Sequence, residues 1–203
     1  IIVRDNNSTD RTAAVARAHG AEVIFEPINQ IARARNRAAS IAKGEWLFFI
    51  DADTWPSYEL LEECLKNIKK GFCLGGGALV QIDEQTWLSK LTVALWNWIS
   101  RLWKLAAGSF LFIRADAFRT LGEFSQDLFA TEEIDLSQRA KAYAKRNSLA
   151  WLVIRSYPIL TSARKIHLYS TTEKMKIFFG LILGGKRVAM KRESCEFWYD
   201  GRR

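Results

Sequence analysis

The sequence lacks a long hydrophobic run: none reaches the roughly 18 consecutive apolar residues that a membrane-spanning helix requires. It contains little cysteine, with only Cys64, Cys73 and Cys195 in 203 residues and no CxxC pair. Zinc sites and disulfide frameworks need paired or closely spaced cysteines, so neither is predicted, and a reducing compartment fits best. Internal repeats and low-complexity tracts are also missing. We therefore expect a cytoplasmic protein, with the cytoplasmic face of the membrane as the alternative location.

The composition is that of a folded chain. Hydrophobic residues make up 49% of the sequence and aromatic residues 12%, which is enough for one domain with a sizeable core. A net charge of +8 predicts an anionic partner such as nucleic acid, a phosphorylated substrate or a lipid surface. The basic residues are scattered, and no recognition helix or aromatic RNA-binding signature is present, so nucleic acid is the least favoured of the three.

The first 25 residues have the pattern of a β-strand, an α-helix and a second strand. Residues 1–3 predict a buried strand, and Ser8 is a suitable N-cap for a helix that runs to His19. Gly20 would end that helix, and Glu22 to Phe25 predict the second strand. This order is that of a βαβ unit, which implies parallel pairing of the two strands.

A second helix is predicted from about residue 29 to residue 43, followed by a strand at Trp46 to Ile50. That strand is a continuous apolar run, as is typical of parallel strands that are buried on both faces. The sequence therefore predicts an α/β fold, with a doubly wound, mostly parallel sheet flanked by helices.

Carboxylates follow two of the predicted strands directly, at Asp5 and at the pair Asp51 and Asp53. Ligands of such sheets bind outside the carboxyl ends of the strands, where these residues are expected. Alternate residues of an extended chain point the same way, so Asp51 and Asp53 could share one hard cation or divide a metal and a ribose between them. The alternative is an ordinary capped turn before Pro56.

Four segments add more specific information when they are taken in order. They are "VRDNNSTDRT", "ARNRAASIAKGEWLFFIDADT", "GSFLFIRADAFRTLGEFSQDLFATEEIDLSQRAK" and "TSARK". Their order and approximate spacing resemble the family-2 glycosyltransferases, inverting enzymes of GT-A fold, whose nucleotide-binding half is Rossmann-like and whose other half binds the acceptor. The resemblance implies a GT-A domain over residues 1–165, with residues 166–203 as a helical and basic extension of the same domain. The family usually begins with an earlier strand and a "P-x-Y-N-E" turn, so we expect this chain to be a fragment that lacks them.

The resemblance also implies roles in binding a nucleotide-sugar donor. Asp5 takes the position that contacts the nucleobase in the family. The D-x-D motif of the family binds the ribose and a Mg²⁺ or Mn²⁺ ion on the diphosphate, which assigns nucleotide binding to Asp51 and the metal to Asp53. Arg35, in the family-like "ARN", is the candidate for contact with the diphosphate.

The catalytic base of the family is an acidic residue of an E-D motif, which corresponds here to Glu132 and Glu133 in "TEEIDL". Glu133 stands where the family usually has aspartate, and glutamate performs the same proton transfer with one more methylene of reach. Asp135 is the competing candidate for the base. The alternative without catalysis is a helix with Thr131 as N-cap and acids in its first turn, as the helix dipole favours.

The resulting functional prediction is metal-assisted transfer of a sugar from a nucleotide sugar to an acceptor hydroxyl, with inversion. The acceptor is not identified by the sequence, and a lipid-linked acceptor is one option. The alternative prediction is a catalytically silent module that binds a nucleotide sugar or a membrane surface. Two departures from the family pattern keep that alternative open: Glu133 replaces the usual aspartate, and the first strand and turn of the pattern are missing.

The segment "TWLSKLTVALWNWISRLWK" predicts an amphipathic helix. Its polar stripe consists of Lys90, Asn97, Arg101 and Lys104. Its apolar face contains Leu91, Leu95, Trp98 and Leu102. Two interpretations remain open: a core helix packed on the sheet, or an interfacial helix in peripheral contact with a membrane, where Trp and Lys are favoured. The later segment "MKIFFGLILGGKRVAMKR" is similarly suited to packing or to a surface anchor.

Overall fold

The structure is a computed structural model that describes residues 1–83, 87–164, 185 and 187–199. Most of the 166–203 extension and of the segment "MKIFFGLILGGKRVAMKR" therefore lies outside the described residues. In the described residues, no helix combines the length and the apolar character needed to cross a bilayer.

The elements in chain order are β1 (Ile2–Asp5), α1 (Thr12–Ala18), β2 (Glu22–Phe25), α2 (Ile31–Ile41), β3 (Trp46–Ile50), β4 (Thr54–Trp55), α3 (Tyr58–Lys69), β5 (Cys73–Ile82), α4 (Trp87–Trp103), β6 (Phe110–Arg114), α5 (Ala115–Thr120), α6 (Glu132–Arg146), β7 (Ala150–Thr161) and a final 3-10 helix (Arg192–Trp198).

The chain divides into two compact units. The first unit comprises residues 1–44 and 123–132 together with the described residues after 172. The second unit comprises residues 45–122 and the described residues from 133 onward to 164. Each unit is built from segments that are distant in sequence, so long-range contacts hold both together.

The first unit contains the predicted βαβ unit, in which β1 and β2 pair in parallel from Ile2↔Glu22 to Asp5↔Phe25. Gly20, at φ +78°, follows the helix as predicted. The predicted N-cap is wrong, because α1 begins at Thr12 rather than after Ser8. The backbone N–H of Ser8 donates instead to the Asp5 carboxylate at 3.0 Å, which holds a turn where the helix was expected.

The second unit is built on a five-stranded sheet in the order β3-β6-β5-β7-β4. The α/β class predicted from the sequence is confirmed, but one detail needs correction. Strand β3 pairs antiparallel with β6, from Trp46↔Arg114 to Ile50↔Phe110, whereas β5 and β7 pair in parallel. An apolar run indicates that both faces of a strand are buried. It does not indicate whether the neighbouring strand runs parallel or antiparallel to it.

Aromatic side chains cover the two faces of β3. Phe48 stacks on Phe112 with ring centroids 5.7 Å apart, and on the other face Phe49 packs against Phe118 of α5 at 5.2 Å. A cluster of buried side chains from α3, β5, β6 and β7 forms the main core, and its members are Leu60, Cys64, Cys73, Ala78, Phe110, Phe112, Ile154 and Ile159. This packing fixes β3, and therefore fixes where the chain leaves the sheet at Asp51.

Three consecutive glycines in the middle of β5 allow the close approach of its neighbours. Gly76 pairs with Phe112 of β6 on one side and with Leu152 of β7 on the other. A Cβ atom added at Gly76 would overlap the backbone carbonyl group of Leu152, which is part of the sheet and has no room to move.

We expect Gly76→Ala to lower the free energy of unfolding by about 3 kcal/mol, the upper range for overpacking of a core. The matched control is Gly71→Ala, where an added Cβ meets no atom within 4 Å and only the positive φ of +81° opposes the substitution. We expect the control to cost about 1 kcal/mol. Urea unfolding followed by circular dichroism measures both variants, and equal costs would contradict this account of β5.

Candidate active site

Asp5 is the last residue of β1, at the carboxyl end of a parallel strand. Its side chain is buried, and its Oδ1 atom accepts the Ser8 N–H at 3.0 Å. The structure therefore places this candidate nucleobase ligand in an ordered turn at a strand end, the part of an α/β sheet where ligands bind.

A polar network fixes the loop that follows Asp5. Arg4 donates to the Asn6 side chain at 2.5 Å, and Asn6 in turn donates to the Asn29 side chain at 2.7 Å. Burial lowers the pKa of Arg4 to about 10, while the carboxylates of Glu26 and Asp5 act in the opposite direction. The Nε atom of Arg4 is buried and has no hydrogen-bond partner within the described part of the chain. A buried donor without an acceptor is costly.

The D-x-D segment forms a turn between β3 and β4. Ala52 and Asp53 lie in this turn, so the alternation expected for an extended chain ends with β3, and that part of the sequence argument is wrong. Backbone hydrogen bonds hold both carboxylate positions: Asp51 N–H donates to Ser109 O at 3.2 Å, and Ser162 N–H donates to Asp53 O at 2.9 Å. Both aspartates are half-buried.

The donor set of this turn fits a divalent cation on a nucleotide. Across the described residues, no three His, Cys, Asp or Glu side chains come together as a complete set of metal ligands. A complete protein set is not needed, because Mg²⁺ at such sites takes one or two carboxylates and fills its remaining positions with phosphate oxygens and water. Asp51 and Asp53 supply two hard oxygen ligands of the required kind.

Arg35 of α2 forms a buried ion pair with Glu132 in the first unit. Its Nη1 atom lies 3.0 Å from Glu132 Oε1, and its guanidinium group lies over the Phe124 ring, 5.4 Å from the centroid. The negative charge of Glu132 also acts on the thiol of Cys195. Burial raises the pKa of that thiol, and the Glu132 charge raises it further. The structure thus brings together two predicted site residues, Arg35 and Glu132, that the sequence analysis had assigned to different roles.

The segment of residues 123–132 is held to α2 by side-chain amides. Asn36 donates to Phe124 O at 2.9 Å and accepts the Phe124 N–H at 3.1 Å. Gln30 donates to the carbonyl oxygens of Gln126 and Leu128 at 2.6 and 3.1 Å. These contacts span about ninety residues of sequence, and the sequence analysis missed them because nothing local marks Gln30 or Asn36 as an anchor.

The acidic cluster begins α6. Asp135 is nearly buried, and its Oδ2 atom accepts from Arg139 Nε at 2.7 Å, one helical turn later. Glu132 is engaged by Arg35, as described above, and Glu133 is half-buried. Glu132 and Asp135 each belong to an ion pair with an arginine.

Thr131, immediately before this cluster, has a φ of +63°. The left-handed region is unfavourable for a β-branched residue, and strain of this kind concentrates at functional sites. An N-cap residue normally has extended backbone, so Thr131 does not have the geometry of the ordinary cap that the alternative interpretation assumed. Backbone strain has no signature in the sequence, which is why the sequence analysis did not identify it.

Comparison with known proteins supplies the context for these residues. The family model described as "Glycosyl transferase family 2" matches residues 1–122. An uncharacterized glycosyltransferase of Rickettsia bellii (strain RML369-C) is 38% identical over 63 residues, which are 31% of this chain and 21% of that relative. The matched part of the chain therefore spans about a fifth of the curated relative's length.

Two solved structures show the same fold at low sequence identity. The mannosyltransferase PcManGT from Pyrobaculum calidifontis, in complex with GDP-Man and Mn²⁺, superposes with a TM-score of 0.62 at 17% identity, covering 95% of this chain and 54% of that one. S. aureus TarS 1–349 also gives 0.62, at 16% identity, covering 97% of this chain and 60% of that one. The fold predicted from the sequence resemblance, an α/β fold of GT-A type, is thereby confirmed.

Proposed function

The chain belongs to glycosyl transferase family 2, and from this premise we propose that it transfers a sugar from a nucleotide-sugar donor to an acceptor hydroxyl. We further propose that the transfer inverts the anomeric centre and is assisted by Mg²⁺ or Mn²⁺. The observation that carries the proposal is the position of Asp51 and Asp53, which follow the end of β3 inside the family match. The roles of individual residues follow from the chemistry of such a transfer.

Asp5, Asp51 and Asp53 are the proposed donor ligands. Asp5, at the carboxyl end of β1, would accept a hydrogen bond from the nucleobase. Asp51 would bind the ribose, and Asp53 would hold the metal ion. When bound, the ion neutralises negative charge that develops on the leaving diphosphate.

Glu133 is the proposed catalytic base. Its carboxylate takes the proton from the acceptor hydroxyl as the acceptor oxygen forms a bond to the anomeric carbon. The bond from that carbon to the diphosphate oxygen breaks in the same step, and its electron pair leaves with the diphosphate. This displacement inverts the anomeric centre and needs no covalent intermediate, so one carboxylate is sufficient.

Glu132 has a different proposed role, which follows from its contacts. Its ion pair with Arg35 lies within the first unit and connects α2 to the start of α6. We propose that this pair fixes Glu132 against α2 within the first unit. Arg35 remains the proposed diphosphate contact, since a planar guanidinium group suits the geometry of phosphate oxygens.

Uridine and guanosine nucleotides are the first donors to test. The PcManGT structure contains GDP-Man and Mn²⁺, and S. aureus TarS 1–349 has been solved in complex with UDP-GlcNAc. We propose a donor of the same chemical class, a sugar joined to a nucleoside diphosphate, for this chain.

A thermal-shift screen of the whole chain tests donor binding. UDP, GDP and their sugar conjugates are added with Mn²⁺ or with EDTA, and adenosine diphosphate with Mn²⁺ serves as the control for unspecific binding. We expect at least one uridine or guanosine nucleotide to raise the melting temperature by about 5 °C at about 100 times its Kd, and only with the metal. Equal shifts with Mn²⁺ and with EDTA would contradict the metal assignment, and no shift with any nucleotide would contradict the donor proposal.

A further inference from the structure

The apolar face of α4 is exposed. Each of five large side chains along this face has more than 40% of its surface accessible, namely Trp87, Leu91, Leu95, Trp98 and Leu102. At 100° per residue, they fall within an arc of about 80° and extend over about 22 Å of the helix axis. A soluble protein normally turns such a stripe toward its core, so a stripe of this size on the surface indicates an interaction site.

Polar side chains hold α4 on the side away from this face, and one of them bonds to the sheet. The Asn97 side chain accepts the backbone N–H of Val80 at 2.9 Å and donates to the Val80 carbonyl oxygen at 2.8 Å. Ser100 is fully buried, and its hydroxyl donates to Leu105 O at 2.7 Å. The two bonds between Asn97 and β5 set the rotation of the helix about its axis, so the outward direction of the apolar face is built into the second unit.

This arrangement tests the interpretation of the segment as a core helix. The helix does contact β5, but it does so through the amide of Asn97, whereas the predicted apolar face of leucines and tryptophan points away from the sheet. Trp103 adds a further exposed ring beside this face and meets Trp98 edge to face at 6.5 Å. The interpretation as an ordinary core helix is therefore wrong for this face.

Charge identifies what would cover the face. Lys90 and Arg101 are exposed at one border of the stripe, Lys104 follows the helix, and residues 87–104 contain no Asp or Glu. A second copy of the chain would bring the same positive border against itself, in a protein that already carries a net charge of +8. Anionic lipid headgroups complement the border, and the headgroup region is where tryptophan is most favoured.

We propose that α4 docks on an anionic bilayer surface, with its axis in the plane of the membrane and its tryptophan and leucine side chains below the headgroups. The occupant of the face is thus a lipid surface. The inference is independent of the transfer reaction, because it depends only on α4, its two bonds to β5 and the bordering cations.

Flotation with vesicles tests the proposal on the whole chain. The parent is mixed with vesicles of 7:3 phosphatidylcholine and phosphatidylglycerol, or of phosphatidylcholine alone, and centrifuged through a density gradient. We expect it to float with the anionic vesicles and to remain mostly unbound with the neutral ones. Leu91→Ser and Trp98→Ser should each weaken the partition by about tenfold or more, because each removes a large apolar side chain from the lipid.

The matched control is Trp55→Ser, which removes a tryptophan of similar exposure from β4 instead of α4, and it should float like the parent. The double variant Lys90→Gln, Arg101→Gln should bind less well to anionic vesicles and should bind neutral vesicles like the parent.

A parent that stays at the bottom of the gradient overturns the proposal, and so does a Trp98→Ser variant that floats as well as the parent. Dimerisation of the parent that is lost in Trp98→Ser, without flotation, assigns the face to a second copy and also overturns it. Unchanged circular dichroism of each variant ensures that a loss of flotation is not a loss of fold.

Discussion

Replacing Glu133 with glutamine is expected to reduce sugar transfer by about 10² to 10⁴-fold while donor binding persists. The amide keeps the shape of the side chain but removes its capacity to accept a proton, so only the step that deprotonates the acceptor is affected. The comparison requires two measurements on the same variant. Transfer is followed as release of nucleoside diphosphate from the donor, and donor binding as the metal-dependent shift of the melting temperature.

The neighbouring acids provide matched controls for Glu133. Asp135→Asn weakens the hydrogen bond to Arg139 and is expected to affect stability more than transfer. Glu132→Gln removes the charge that pairs with Arg35, so we expect a smaller loss of transfer than in Glu133→Gln. Unchanged transfer in Glu133→Gln together with its collapse in Asp135→Asn would move the base two residues along the helix.

The second large effect is expected at Asp53. Asp53→Ala should weaken Mn²⁺-dependent nucleotide binding by about 100-fold or more, since loss of an outer-shell partner alone costs 10- to 100-fold. The fold should survive, because the hydrogen bonds at this position use the backbone carbonyl oxygen of Asp53, which accepts from Ser162 and Thr161. Titration of the nucleotide in the presence of Mn²⁺ and of EDTA measures the effect.

Asp127→Ala is the control for a general change in charge, because Asp127 is exposed and lies in the other unit. It should bind nucleotide like the parent. The metal assignment would be contradicted by an Asp53→Ala protein that binds UDP or GDP with Mn²⁺ as tightly as the parent does. A variant that no longer unfolds cooperatively even without ligand would show that the turn needs the Asp53 side chain, contrary to this expectation.

Local patterns in the sequence were sufficient for much of the fold. Strands β2 and β3 lie at the predicted residues, and Gly20 ends α1, because apolar periodicity and glycine both act over a few residues. The direction of β3 was wrong, since the identity of its neighbour depends on β6, which begins sixty residues later. The start of α1 was wrong because the Asp5 carboxylate takes the Ser8 N–H.

The sequence was sufficient to name candidate site residues, but it did not predict how their side chains are arranged. The carboxylates at the strand ends could be named because apolar runs in the sequence stop just before Asp5 and Asp51, where β1 and β3 end. The pairing of Arg35 with Glu132 joins residues nearly a hundred positions apart, and the positive φ of Thr131 is a conformation that its residue type disfavours. Neither has a local signal. The outward direction of the apolar face of α4 is of the same kind, because it depends on the two bonds of Asn97 to β5.

The most direct test of the central claim is the release of nucleoside diphosphate from the nucleotide sugar that the whole chain binds, with a small alcohol as acceptor. The account predicts release by the parent in Mn²⁺, loss of release in EDTA and in Glu133→Gln, and a glycoside product of inverted anomeric configuration by nuclear magnetic resonance. A parent chain that binds the donor in a metal-dependent manner but releases no more diphosphate than Glu133→Gln would contradict the claim, and would establish the chain as a silent nucleotide-sugar binding module.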